Sequence, residues 1–162
     1  MNYETELRNK NSGCMKLIVW QKATELFELV WAIVFTENKI DFKLRSQIAD
    51  AAQSVAANIS EGYGRRSLNE YIQFLYYALG SLAETMTRAI GLKQTRQIPE
   101  ARFHDIDVLH YEVENRLLRL IDKLEQKRGD ENWIARIAED PEEYAITPSL
   151  QHSITPTLRT HA

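Results

Sequence analysis

Between Ser67 and Lys93 the apolar residues Tyr71, Phe74, Leu75, Ala78, Leu79, Leu82, Met86 and Ala89 recur at alternating intervals of three and four. A strand alternates faces every second residue, so this spacing predicts a long amphipathic helix with one continuous apolar seam. Ser67-Leu-Asn-Glu70 supplies its start as a capping box: the hydroxyl can accept from a free backbone N–H, and the glutamate can reach back to another. A helix with such a seam must bury it against partners of the same kind.

The rest of the chain offers those partners. From about Leu17 to Thr36, Trp20, Phe27, Val30 and Val34 keep helical spacing, with Leu26, Trp31 and Ile33 widening the stripe. From about Lys43 to Glu61, Leu44, Ile48, Ala51, Ala52, Val55 and Ile59 share a face, and Gly62 is expected as a left-handed stop. The small residues between Ala49 and Ala57 predict close helix packing there. Pro99 suits a helix start, and Phe103, Ile106, Leu109, Val113, Leu117, Leu120 and Leu124 carry the fourth seam up to Gly129. With only six glycines and four prolines in 162 residues, little interrupts these helices. The expectation is an all-α, antiparallel up-down-up-down four-helix bundle over residues 17–128. An N-terminal segment, 1–16, precedes it; an acidic, proline-containing tail, 129–162, expected to be extended, follows.

Chemistry is sparse. One cysteine, Cys14, excludes an internal disulfide framework, and no histidine lies near it in sequence to serve as a base. No phosphate loop, dinucleotide fingerprint or zincin pair is present. A carboxylate-bridged metal site in a bundle needs two Glu-x-x-His repeats; the chain has only Asp107-x-x-His110, and His110 reads as a half-buried helix residue. No enzyme activity, cofactor or metal is expected. MNYETELRNK has no apolar signal core, and the longest strongly apolar stretch, Leu29 to Phe35, is too short to cross a membrane, so a soluble cytoplasmic protein is expected.

Charge is unevenly spread. The net value is −3, but residues 129–162 hold six of the 23 acids and two of the 20 bases. The preceding 128 residues therefore carry seventeen acids against eighteen bases. Arg116, Arg119, Lys123 and Lys127 fall at i, i+3, i+7 and i+11 on the fourth helix, with Arg128 beyond. The predicted topology adds Arg65 and Arg66 from the second turn and Lys16 and Lys22 from the start of the first helix. One pole of the bundle is thus expected to attract a phosphate backbone. Bases near a helix C-terminus also suit the helix dipole, and Glu112, Asp122 and Glu125 can pair with them. Tyr76 and Tyr77 spread aromatics around the third helix, as a subunit interface would.

The runs Trp20-Gln-Lys-Ala23, Leu44-x-x-Gln47-Ile48, Ser54-x-x-x-Asn58-Ile59-x-Glu61-Gly62, Gly64-Arg65, Glu70-Tyr71, Phe74-Leu75 and Ala78-x-Gly80-Ser81-Leu82-x-Glu84 resemble a bacterial four-helix-bundle family. That family includes proteins encoded in intervening sequences of large-subunit ribosomal RNA and the accessory variability determinant of diversity-generating retroelements. The resemblance covers about Leu17 to Leu124. It implies a homopentameric ring and, in the retroelement members, an RNA-binding adaptor that partners a reverse transcriptase through basic surface. The chain departs from the pattern at Ala49-Asp50-Ala51, where the family usually has arginine. The shared polar residues have structural explanations: Asn58 and Glu61 are expected to fasten their turn to backbone groups, and Gly80 and Ser81 to permit a close crossing.

The resulting expectation is a non-enzymatic ring that binds RNA or DNA through Lys16, Arg65, Arg66, Arg116, Arg119, Lys123, Lys127 and Arg128 and assists a reverse transcriptase. The rival is a protein–protein scaffold of the same fold with no nucleic-acid role.

Overall fold

The computed structural model describes residues 13–37 and 40–128. The expected tail and most of the N-terminal segment lie outside these residues. A short 3-10 turn, Gly13–Lys16, leads into four helices: α1 (Ile18–Trp31), α2 (Phe42–Tyr63), α3 (Leu68–Gln94) and α4 (Glu100–Gln126). The described residues form an all-α four-helix bundle. α1 continues as a π-helical segment, Ala32–Glu37, a widening that the 3.6-residue pattern does not foretell.

Contacts between consecutive helices run in reversed order along the two partners. Trp20 meets Ser60, and Arg45 lies 5.0 Å from the ring centre of Phe35. Tyr71 and Phe74 crowd Gly62, Ser81 meets Asn58, and Arg88 meets Gln47. Tyr76 meets Glu125, whereas Lys93 meets Glu100. Lys22 faces Glu112 across α1 and α4. The turns 64–67 and 95–99 are short enough to return each helix along its predecessor.

The predicted seams supply the core. Leu26, Val30, Ile33 and Val34 from the first helical stretch meet Ile48, Ala52, Val55 and Ile59 of α2, Leu75, Ala78, Leu82 and Ala89 of α3, and Ile106, Val113, Leu117, Leu120 and Leu124 of α4. Each large side chain of this set contributes about 1.5–3 kcal/mol of burial. Ala49, Ala51 and Ala52 are buried, and α2 and α3 share the most extensive helix contact. Other seam residues behave differently: Trp20, Phe27, Leu79, Met86, Phe103 and Leu109 are half-buried at the edges of the core. Phe74 is half-buried, Leu44 is exposed in the opening turn of α2, and Trp31 is exposed but stacks on Phe35 with ring centres 4.1 Å apart.

Local signals held in part. Ser67 Oγ accepts from the Glu70 N–H at 3.5 Å, and Pro99 occupies the N-cap of α4. Gly62 is not a left-handed stop. It lies inside α2, which ends at Tyr63 with Gly64 as a right-handed C-cap. Its role is steric: a Cβ there would sit 2.7 Å from Phe74 Cβ and 3.2 Å from the Tyr71 carbonyl oxygen. Gly80 faces open space, so it makes no close crossing. Asn58 donates to Ser81 Oγ at 3.3 Å and Glu61 pairs with Arg65, so both engage side chains rather than turn backbone.

Candidate nucleic-acid interface

The turn between α2 and α3 sets the first cations. The Arg65 N–H donates to the Gly62 carbonyl at 3.0 Å. Its guanidinium lies 4.6 Å from the ring centre of Phe74 and pairs with Glu61. Arg65 is therefore oriented by an aromatic face and partly neutralised. Arg66, next in the chain, is exposed and has no ion pair among the described residues.

The start of α1 comes to the same end of the bundle. Trp20 Nε1 donates to Ser60 Oγ at 2.7 Å, and that hydroxyl donates to the Ala56 carbonyl at 3.0 Å. Cys14 Sγ is 3.5 Å from the same hydroxyl. Gly13, at φ 59°, would bring a Cβ to 3.7 Å from the Tyr63 ring. Gly permits that left-handed backbone without the strain of a side chain. The exposed Lys16 ends this turn.

The last turns of α4 complete the end. Tyr76 Oη, in the third turn of α3, donates to Glu125 Oε1 at 2.9 Å. That hydrogen bond holds the Tyr76 phenol above its ordinary value; burial and the charges of Glu125 and Asp122 act in the same sense, against Arg128. Arg119 and Arg128 are exposed, and Lys123 and Lys127 are partly buried along the same flank.

Arg116 stands apart from its predicted companions. Its side chain is only 11% exposed, and its Nε and Nη2 donate to Glu112 Oε1 at 3.1 and 2.8 Å. Glu112 also faces Lys22 at 3.8 Å, while Lys22 pairs with Glu25 at 2.7 Å. Arg116 and Lys22 thus belong to a small ion-pair network between α1 and α4. The structure brings Lys16, Arg65, Arg66, Lys127 and Arg128 to one end, with Arg119 and Lys123 on the adjoining flank. Glu61, Glu70, Asp122 and Glu125 are interspersed, leaving cations in excess.

Sequence reasoning missed several features. Buried Thr85 donates to the Ser81 carbonyl at 2.8 Å, satisfying a polar group on the core face. His110 is buried rather than half-buried, while Asp107, three residues before it, is exposed; the pair diverges. Among the described residues no three His, Cys, Asp or Glu side chains converge as a metal site would need. No helix among them is long and apolar enough to cross a membrane. Large apolar side chains remain exposed: Tyr76, Tyr77 and Ile90 on α3, and Val108, Tyr111 and Leu118 on α4. Tyr111 is 67% exposed. Val108, Tyr111 and Leu118 fall at i, i+3 and i+10, a spacing that was readable once the inward face had been assigned.

A family model described as 23S rRNA-intervening sequence protein matches residues 15–119, which takes in all of α1, α2 and α3 and most of α4. Comparison with curated proteins finds no match.

Proposed function

Because the chain belongs to the 23S rRNA-intervening sequence protein family, we propose that it is a non-enzymatic, self-assembling adaptor that binds RNA or DNA through the cationic end of its bundle. The observation that carries this reading is the gathering of Lys16, Arg66, Lys127 and Arg128 from three separate parts of the chain at one end. Arg66, Lys127 and Arg128 follow helix C-termini, where the dipole alone would favour cations, but Lys16 lies beside the N-terminus of α1, where it would not. The exposed apolar residues of α3 and α4 support assembly with further copies, because monomers rarely leave such patches bare. A homopentameric ring would repeat the cationic end five times, and weak sites on one body gain effective concentration without a strong single contact. In this reading the ring assists a nucleic-acid enzyme such as a reverse transcriptase.

The scaffold reading draws on a different observation: Arg65, Arg116 and Lys22 are already engaged by carboxylates. The two separate by salt dependence. For a phosphate-binding ring, log affinity for single-stranded RNA falls linearly with log salt, with a slope near the number of phosphates contacted. Joint reversal of Arg66, Arg119, Lys127 and Arg128 to Glu should weaken binding by at least about tenfold at low salt. A salt-independent affinity, or one that survives the reversal, would leave the scaffold in place of the adaptor.

A further inference from the structure

We propose that copies of this chain associate head to tail, the aromatic corner between α1 and α2 of one copy seating on the acidic, apolar strip between α3 and α4 of the next. This pairing rests on the self-assembly proposed above and adds which two surfaces meet.

The two surfaces lie on opposite sides of the bundle. Each helix packs on the next and α4 on α1, so the α1–α2 seam and the α3–α4 seam are across the molecule from each other. Contacts toward both ends of each seam fix what flanks it: Trp20 with Ser60 and Phe35 with Arg45 on one side, Tyr76 with Glu125 and Lys93 with Glu100 on the other.

Along the first seam the rings build a column. Phe27 lies 5.9 Å from Trp31, Trp31 stacks on Phe35, and the Arg45 guanidinium is 5.0 Å from the Phe35 ring centre and 5.3 Å from that of Phe42. Trp31 and Phe42 nevertheless remain 47% and 68% exposed. Arg45 has no ion pair among the described residues, and its Nε is buried without an acceptor. Asp41, the acid nearest to it in the sequence, is already engaged as the N-cap of α2, accepting from the Lys43 N–H at 2.9 Å.

The second seam has the complementary character. Tyr76 and Ile90 of α3 and Tyr111 and Leu118 of α4 are exposed beside it. The α4 row from Glu100 to Glu125, at intervals of three and four, sets Asp107, Glu114 and Asp122 among those apolar residues, and no lysine or arginine interrupts the row. These three carboxylates form no ion pair among the described residues. A cation oriented by rings but lacking a counterion thus finds, on a second copy, carboxylates lacking cations, in the same apolar setting.

A two-fold dimer joins like to like. Corner on corner would set Arg45 against Arg45, strip on strip would set carboxylates against carboxylates, and either would leave the other surface bare. Head-to-tail contact covers both in every copy. The strip has the size required: α4 is about 40 Å long, and two helices of about 10 Å diameter side by side give about 800 Å², the area a stable interface buries on each partner.

The test uses the full chain with Cys14→Ser, which removes its one native thiol. Ser46→Cys marks the rim of the corner and Thr87→Cys the rim of the strip; the pairing of Gln47 with Arg88 puts the two at the same height on the bundle. With a flexible bismaleimide, the variant carrying both changes should give a ladder of covalently linked copies on a denaturing gel, and each single variant should give none. Linked dimers from a single variant would show like meeting like and overturn the proposal. No ladder from a protein whose native mass is a multiple of 18.8 kDa would overturn it while leaving self-assembly in place. A native mass of 18.8 kDa at about 100 μM, far above the Kd of a specific interface, would refute both. Phe42→Ser, at an exposed side chain, should keep the helical circular dichroism and raise the dissociation constant by at least about tenfold. An unchanged constant would likewise overturn the pairing.

Discussion

Gly62 and Gly80 both lie inside helices, yet their surroundings are opposite. A methyl at Gly62 would press on Phe74 Cβ, the Tyr71 ring and the Tyr71 carbonyl, none of which is the loose end of a flexible chain. Overpacking costs about 1–3 kcal/mol, while alanine returns up to about 1 kcal/mol of helix propensity. Gly62→Ala should therefore lower stability by about 1–2 kcal/mol in urea unfolding. Gly80→Ala meets nothing within 4 Å and should raise it by roughly 0.5–1 kcal/mol. Tyr76 offers a second reading at this scale. Its phenol is held up by donation to Glu125, so the neutral form is favoured in the folded chain. The associated stability is present below the ordinary tyrosine range and is lost as pH rises through the elevated folded value. In an ultraviolet titration, Tyr76→Phe should remove signal from above the ordinary tyrosine range. Among residues, those whose role follows from spacing were legible: Leu75, Leu82, Leu117 and Leu124 are buried where their period puts them. Gly62 was legible as important but not as to cause, since a stop and a close approach both call for glycine.

At the scale of elements, caps and seams were readable because both are local. Ser67 accepts from the Glu70 N–H, and Ser67→Ala should cost about 0.5–2 kcal/mol, read as a shift in the urea midpoint. The π-helical stretch Ala32–Glu37 was not readable. An extra residue per turn is imposed by what the helix packs against, and here it accompanies burial of the adjacent Ile33 and Val34 with Phe35 stacked on Trp31. The link between Trp20 and Ser60, forty residues apart, was equally hidden, because a side-chain hydrogen bond leaves no period in the sequence. Ser60→Ala would strand the indole N–H in a partly buried position and should cost about 1–3 kcal/mol.

At the scale of the whole molecule, helix order predicted which cations converge, and the structure sorted them by burial. Arg116 keeps the spacing of Arg119, Lys123 and Lys127 yet turns inward to Glu112. A charge stripe on a helix straddles the edge of the buried seam, and sequence spacing alone cannot say which member falls inside. The outer apolar residues of α4 make the assembly testable. Tyr111→Glu with Leu118→Glu alters two side chains that are exposed in a single chain, so folding should change little, by about 0.5 kcal/mol or less per site. If copies meet on this face, the native mass should fall from a multiple of 18.8 kDa to that single value.

The start of α1 and the finish of α4 lie at the same end as the cations. Any fluorophore or bead attached within the Gly13–Lys16 turn or the last turn of α4 would consequently crowd the surface under study and carry its own charge there. The 95–99 turn, at the far end, offers a quieter anchor for immobilisation. Two immobilised preparations that differ only in this choice should give different apparent affinities for the same oligonucleotide.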